Sequence, residues 1–182
     1  NLKRIFKNKK VLVTGHTGFK GSWLCLWLNF LGANVVGVSK NIPTSPSNFL
    51  VNKINKNIKS IFCDIKDLKK IKKIILETKP DYIFHLAAQS LVKKSYEHPI
   101  LTWESNLVGT INVLESLRFL KKKCISVLIT SDKSYKNIET TRGYHEKDIL
   151  GGSDPYSASK GAAEFAIQSY VKSFFNKKDS SI

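Results

Sequence analysis

The chain has 182 residues, 42% of them apolar and 24% charged, enough for one domain with a sizeable core and too apolar for a disordered segment. The formal net charge is +16, yet Arg4, Arg118 and Arg142 are the only arginines. Base readout favours arginine forks interleaved with aromatics, and neither pattern is present, so the expectation is a lysine-rich surface with no nucleic-acid role.

Residues 10–14 read as a buried parallel strand and 21–31 as a helix closed by Gly32. Between them stands Gly15-His16-Thr17-Gly18-Phe19-Lys20-Gly21. Its glycines allow a tight turn, a close backbone approach to a pyrophosphate, and packing of helix on strand. The helix start then points free N–H groups at the phosphates. Lying after a strand and opening a helix, this is a dinucleotide loop. Residues 35–38 form the second strand, which ends in Ser39-Lys40 where an acid is usual. Ser39 can bond a ribose hydroxyl and Lys40 can attract a 2′-phosphate, so this end leaves NAD and NADP both open. Residues 41–48 are a loop with Pro43 and Pro46, and 60–63 a third strand. Asp64 then either contacts the adenine amino group or serves as a loop carboxylate ahead of Leu68.

Residues 68–78 read as a helix ended by Pro80, and 82–86 as the fourth strand. A long helix over 99–119 carries a stripe of Trp103, Leu107, Ile111 and Leu114. The fifth strand, 126–130, runs into Ser131-Asp132-Lys133 at the carboxyl edge of the sheet, where ligands of α/β folds bind. Residues 134–152 are a long loop of the functional kind, and 155–174 a final helix with Pro155 in its first turn. The tail, 176–182, is polar and expected to fray. Strict alternation of strand and helix predicts a Rossmann-type doubly wound parallel α/β sheet in the order 3-2-1-4-5.

Tyr156 and Lys160 stand one helical turn apart on one face. A phenol is a poor base at neutral pH, but an adjacent ammonium and a cationic nicotinamide favour its phenolate. Tyr156 can then take a proton from a sugar hydroxyl. Cys25, Cys63 and Cys124 form no CxxC, and His16, His85, His98 and His145 make no metal-ligand spacing with them. Buried reduced thiols, no metal and a reducing, cytoplasmic compartment are expected. The apolar stretch 23–31 is too short for a membrane span and misplaced for a signal peptide.

These residues resemble the extended short-chain dehydrogenase/reductase superfamily and, within its NAD-dependent epimerases and dehydratases, the CDP-glucose 4,6-dehydratases. The resemblance rests on Val13 to Leu24, on Phe84-His85-Leu86-Ala87-Ala88-Gln89, on Ile129 to Lys133 and on Leu150 to Lys160. It covers the chain from Lys10 to about Phe175. It implies NAD as cofactor, held by Gly15, Thr17, Gly18, Phe19, Lys20, Gly21, Ser39, Asp64, Ile65, Leu86, Ala87, Ala88, Thr130, Tyr156 and Lys160. It implies CDP-glucose as substrate, with Gln89, Ser131 and Tyr156 against the hexose, and CDP-4-keto-6-deoxyglucose as product. Tyr156 would take the C4 hydroxyl proton as hydride leaves C4, Asp132 would protonate the departing C6 hydroxyl, and Lys133 would handle the C5 proton. Ser131 would bond the C4 oxygen. Residues 137–142 lack tryptophans common in the family, and His145 replaces an arginine. Residues 1–182 correspond to the NAD-binding portion, with the substrate domain of the family lying beyond them. A homodimer through helices 99–119 and 155–174 is also implied, with Trp103, Leu107, Phe165 and Tyr170 in its stripes. The alternatives are a sugar-nucleotide 4-epimerase or another sugar-nucleotide dehydratase on the same scaffold, of which the epimerase would need no acid at C6, and an inactive dinucleotide sensor, which would lack the Tyr–Lys pair.

Overall fold

The computed structural model describes residues 1–175; the tail expected to fray lies outside the described residues. A short helix α1 (Leu2–Phe6) precedes β1 (Lys10–Thr14), α2 (Phe19–Phe30) and β2 (Asn34–Ser39). Next come α3 (Asn48–Val51), a 3-10 turn at Ile54–Lys56, β3 (Lys59–Phe62), α4 (Leu68–Thr78) and β4 (Tyr82–His85). After these stand α5 (Val92–Glu97), α6 (Pro99–Trp103), a π-helical stretch Glu104–Val108 and α7 (Gly109–Leu117). The last elements are β5 (Ile125–Leu128), a 3-10 turn Asp132–Ser134 and α8 (Pro155–Tyr170), which continues as a π stretch Val171–Phe175. The strands form one parallel sheet in the order β3-β2-β1-β4-β5, the order expected.

Both faces of β1 are covered, as its unbroken Val-Leu-Val run requires. Leu12 faces a core with Ile71 and Ile75 of α4 and Val113, Leu114 and Leu117 of α7. Val11 and Val13 face the opposite core, with Cys25 and Leu28 of α2, Phe49 and Ile54. This two-sided burial fixes the carboxyl ends of β1, β2 and β4 side by side, which places the loops leaving them. The three cysteines are buried free thiols, and burial pushes Cys25 up to about 12 and Cys124 up to about 11.

Two differences from the sequence expectation, and the exposed face of α2, carry physical content. The helix over 99–119 is two α segments joined by the π stretch. A π turn adds a residue without adding a turn, rotating the downstream segment by roughly 100°. The stripe therefore does not run straight: Trp103 is exposed while Leu114 is buried. On α2, Phe19, Trp23, Trp27 and Phe30 stand 74%, 53%, 53% and 78% exposed; they form the outer face, and Cys25 and Leu28 the inner one. Helices α1, α3 and α5 have six residues or fewer, too short for periodicity to announce. No helix among the described residues is long and apolar enough to cross a membrane.

Candidate active site

The loop from β1 to α2 is glycine where backbone must touch backbone. Gly15 has φ +77°, and a Cβ there would meet the Ala87 nitrogen at 2.7 Å. A Cβ on Gly18 would come within 3.3 Å of the Gly15 carbonyl oxygen, and one on Gly21 would run into that carbonyl. Gly18 N–H donates to the same carbonyl at 3.0 Å. Helix α2 starts at Phe19 without a side-chain cap. A bare, glycine-shaped backbone closing on uncapped helical N–H groups is the donor set a pyrophosphate needs, so a dinucleotide fits these residues. Phe19 and Lys20 are exposed beside it.

At the β2 and β3 ends the polar groups bond one another. His16 is buried, its Nδ1 2.9 Å from Ser39 Oγ and its Nε2 2.6 Å from Ser60 Oγ. Burial pushes its pKa below the ordinary histidine value, so the ring is a neutral strut between loop and sheet. It lies against Gly37, where a Cβ would overlap the ring, and packs edge-on to Phe49. Ser39 Oγ also accepts from Thr17 N–H at 3.3 Å, and the Thr17 hydroxyl donates to the Asn41 carbonyl at 2.7 Å. Both hydroxyls are thus engaged inside the loop. Lys40 Nζ lies 3.2 Å from Asp64 Oδ2, so the cation and the carboxylate expected at the adenosine end neutralise each other. Ile65 is buried, filling the space left by Gly109 of α7, and its carbonyl accepts from Asn112 at 2.9 Å.

A second buried network, not anticipated from sequence, ties β1 and β4 to the helices behind them. Ala87 N–H donates to Thr14 Oγ1 at 3.2 Å, and Thr14 Oγ1 lies 2.7 Å from His85 Nδ1. His85 Nε2 lies 3.2 Å from Thr110 Oγ1, which donates to the Asn106 carbonyl at 2.7 Å. With the Thr110 hydroxyl donating away, His85 must carry its proton on Nε2 and accept on Nδ1. Burial first, then the Lys160 charge, pushes His85 down to about 3. Asn106, in the π stretch, accepts from Gln89 N–H at 2.8 Å and donates to the Gln89 carbonyl at 3.0 Å and to Ser159 Oγ at 2.9 Å. The legible signal was Thr102, Asn106 and Thr110, polar residues at four-residue spacing along one face, all of them buried. Gln89, assigned to the hexose, turns its amide onto Leu91 and Thr102. Leu86, Ala87 and Ala88 are half-buried above the Gly15 approach.

The residues expected to react lie on two elements near the β5 end, the 3-10 turn Asp132–Ser134 and α8. Asp154 caps α8, accepting from Tyr156 and Ser157 N–H at 3.0 Å each, with Pro155 in the first turn. Lys160 Nζ donates to the Ile129 carbonyl at 3.3 Å. A Cβ on Gly161 would stand 3.3 Å from the Ser134 carbonyl oxygen, so glycine lets the 3-10 turn lie directly against α8. Ser131 caps that turn and donates to Asp132 Oδ1 at 3.0 Å. Asp132 and Lys133 are exposed, while Tyr156 and Lys160 are buried. Burial lowers Lys160 to about 8, and the Glu164 charge opposes the fall. Thr130 donates to Glu164, a residue sequence reasoning did not single out. The long loop folds on itself: Tyr135 pairs with Leu150, Tyr135 stacks on Tyr144 at 5.2 Å, and Arg142 forms two 2.7 Å bonds to Asp148.

Fold and site together define a dinucleotide-binding α/β domain carrying a tyrosine–lysine pair at its carboxyl edge. A family model, GDP-mannose 4,6 dehydratase, matches residues 12–176, and the chain belongs to that family. It is 47% identical over 174 residues to CDP-glucose 4,6-dehydratase of Salmonella typhimurium, covering 96% of this chain and 48% of that protein. It is 32% identical to dTDP-D-glucose 4,6-dehydratase of Dictyostelium discoideum, over 91% of this chain and 41% of that one. Among solved structures, Thermus thermophilus UDP-glucose 4-epimerase in complex with NAD superposes with a TM-score of 0.79 at 29% identity, over 91% of this chain and 51% of that one. The chain thus spans about half the length of the curated relatives it matches.

Proposed function

We propose that this chain is the cofactor-binding and proton-transferring part of a sugar-nucleotide 4,6-dehydratase acting on CDP-glucose. The observation that carries the reading is the junction at β5, where Lys160 bonds the Ile129 carbonyl and Gly161 admits the Ser131-Asp132-Lys133 turn against the Tyr156 helix. The 47% identity to a CDP-glucose dehydratase supports the substrate. NAD, when bound on the Gly15–Gly18–Gly21 cradle, supplies the hydride acceptor and donor that make the chemistry redox-neutral overall. The Lys40–Asp64 pair supports NAD over NADP, because a neutralised lysine draws a 2′-phosphate weakly.

In this reading the Tyr156 phenolate, stabilised by the Lys160 ammonium, takes the proton from the C4 hydroxyl. The resulting C4 ketone acidifies the C5 proton, which Lys133 handles, and the Asp132 carboxyl protonates the C6 hydroxyl as water leaves. Ser131 holds the C4 oxygen. Epimerisation needs no acid at C6, so Asp132 and Lys133 favour dehydration. Helices α6–α7 and α8 support a homodimer, since Ile100, Trp103, Val108 and Phe165 are exposed along them; Leu107 and Tyr170 are only half-exposed, and Tyr170 bonds Glu115 at 3.1 Å. Incubating the full-length protein with CDP-, UDP-, dTDP- and GDP-hexoses and monitoring the 4-keto-6-deoxy product tests the reading. CDP-glucose should turn over fastest, and Asp132→Asn should accumulate reduced cofactor without product. Turnover of Asp132→Asn at the wild-type rate would remove the acid from Asp132.

A further inference from the structure

We propose that Glu164 is a positioning residue for Lys160: held by the Thr130 hydroxyl, its carboxylate keeps the Lys160 ammonium charged so that Tyr156 can serve as base. The inference rests on the reading above. Glu164 lies one helical turn beyond Lys160 on α8, and its Oε1 accepts from Thr130 at the end of β5. The Lys160 ammonium donates to the carbonyl of Ile129, the residue just before Thr130. Strand end and helix are thus stitched twice, once through the cation and once through the carboxylate. The geometry fixes both side chains against one stretch of backbone.

Electrostatics gives the arrangement a purpose. A lysine with 7% exposure has lost most of its water, and burial is the main force lowering it, to about 8. The Glu164 charge is the influence that opposes this fall. His85 on β4 is neutral and contributes no counter-charge. Charged groups on the other elements packed against α8 are turned elsewhere. Glu104 in the π stretch bonds Lys66 at 2.7 Å, and Glu115 of α7 bonds Arg118 and Tyr170. Asp132 on the 3-10 turn accepts from Ser131. Its neighbour Lys133, and Lys93, Lys94 and Glu97 of α5, are exposed. Without Glu164 the ammonium would drop toward neutral pH and lose its charge in the range where Tyr156 must work.

The test is carried out on the full-length protein with two readouts. The first is the titration of Lys160 by NMR with isotope-labelled lysine, its signal assigned by its loss in Lys160→Arg. The second is the pH profile of kcat/KM. In Glu164→Gln both the lysine titration and the alkaline limb should move acid by at least about one pH unit. Glu164→Asp should restore most of that shift. Thr130→Val keeps the carboxylate but frees it, and should produce a smaller shift of the same sign, which keeps the question answerable if Glu164→Gln does not fold. An unchanged Lys160 titration in Glu164→Gln, or in Thr130→Val should that variant alone fold, would overturn the proposal. The NMR readout needs no substrate, so it fails or succeeds separately from the dehydratase reading, which is decided by the product assay with nucleotide hexoses.

Discussion

The two sides of the sheet's carboxyl edge handle their polar groups in opposite ways. At β1, β2 and β3, His16, Thr17, Ser39 and Ser60 bond each other, and Lys40 pairs with Asp64. At β5 and α8 no hydrogen bond reaches the Tyr156 phenol or the Lys133 ammonium among the described residues, and Asp132 faces solvent. Polar groups that hold the loop shape are satisfied within the chain, and the phenol and ammonium proposed to act on a ligand are left with capacity to spare. The cofactor side is a finished cradle; the side proposed to react keeps hydrogen-bonding groups open.

The largest effect should come from the unsatisfied side. Tyr156→Phe in the full-length protein should cut kcat by about 10²–10⁴-fold while leaving dinucleotide binding, measured by calorimetry, within a few-fold of wild type. Equal losses in both would make Tyr156 a binding residue and blur the contrast. Next comes the buried network behind the cradle. His85 is held at about 3 when folded, against an ordinary 6.5. Above the ordinary value both states keep it neutral. As pH falls from there toward 3, the unfolded chain takes a proton that the folded chain refuses, so stability drops. The drop should reach up to about 4 kcal/mol, and His85→Gln should flatten that part of a denaturant-unfolding series against pH.

A change to the cradle's shape should be smaller but sharply local. Gly15→Ala forces a Cβ into the left-handed region and against Ala87, which should destabilise the chain by about 2–3 kcal/mol and weaken dinucleotide binding. The smallest effect belongs to the exposed ion pair. Asp64→Asn should change stability by less than about 1 kcal/mol, because Lys40 is largely in water. It should strengthen binding of a 2′-phosphorylated dinucleotide by less than about tenfold. No gain at all would show that the Lys40–Asp64 pair has no part in cofactor choice.

Much of this was legible in the sequence because it is written locally. The Gly15–Gly21 spacing, the Val-rich strands and the Tyr156–Lys160 turn each lie within a few residues, and the strand order comes from alternation and handedness. The features that were not legible join residues far apart. Asn106 to Ser159 and Thr130 to Glu164 are tertiary bonds with no sequence period. Ser39 and Gln89 are polar residues at ligand-facing positions, and only the fold shows their side chains bonded to protein neighbours. The π stretch escaped because nothing in residues 104–108 interrupts a helical pattern.

The outer face of α2 has a practical consequence for anyone handling the protein. Trp23, Trp27 and Trp103 are its three tryptophans, and each is exposed to solvent. Indole emission shifts to the red in water, so the folded chain should already fluoresce much as an unfolded one does. Emission wavelength is therefore a poor gauge of melting for this protein, and backbone circular dichroism the better one. The same property makes the indoles sensitive to being covered: a blue shift on raising protein concentration would report contact at α2 or α6, at wavelengths where unfolding itself is nearly silent.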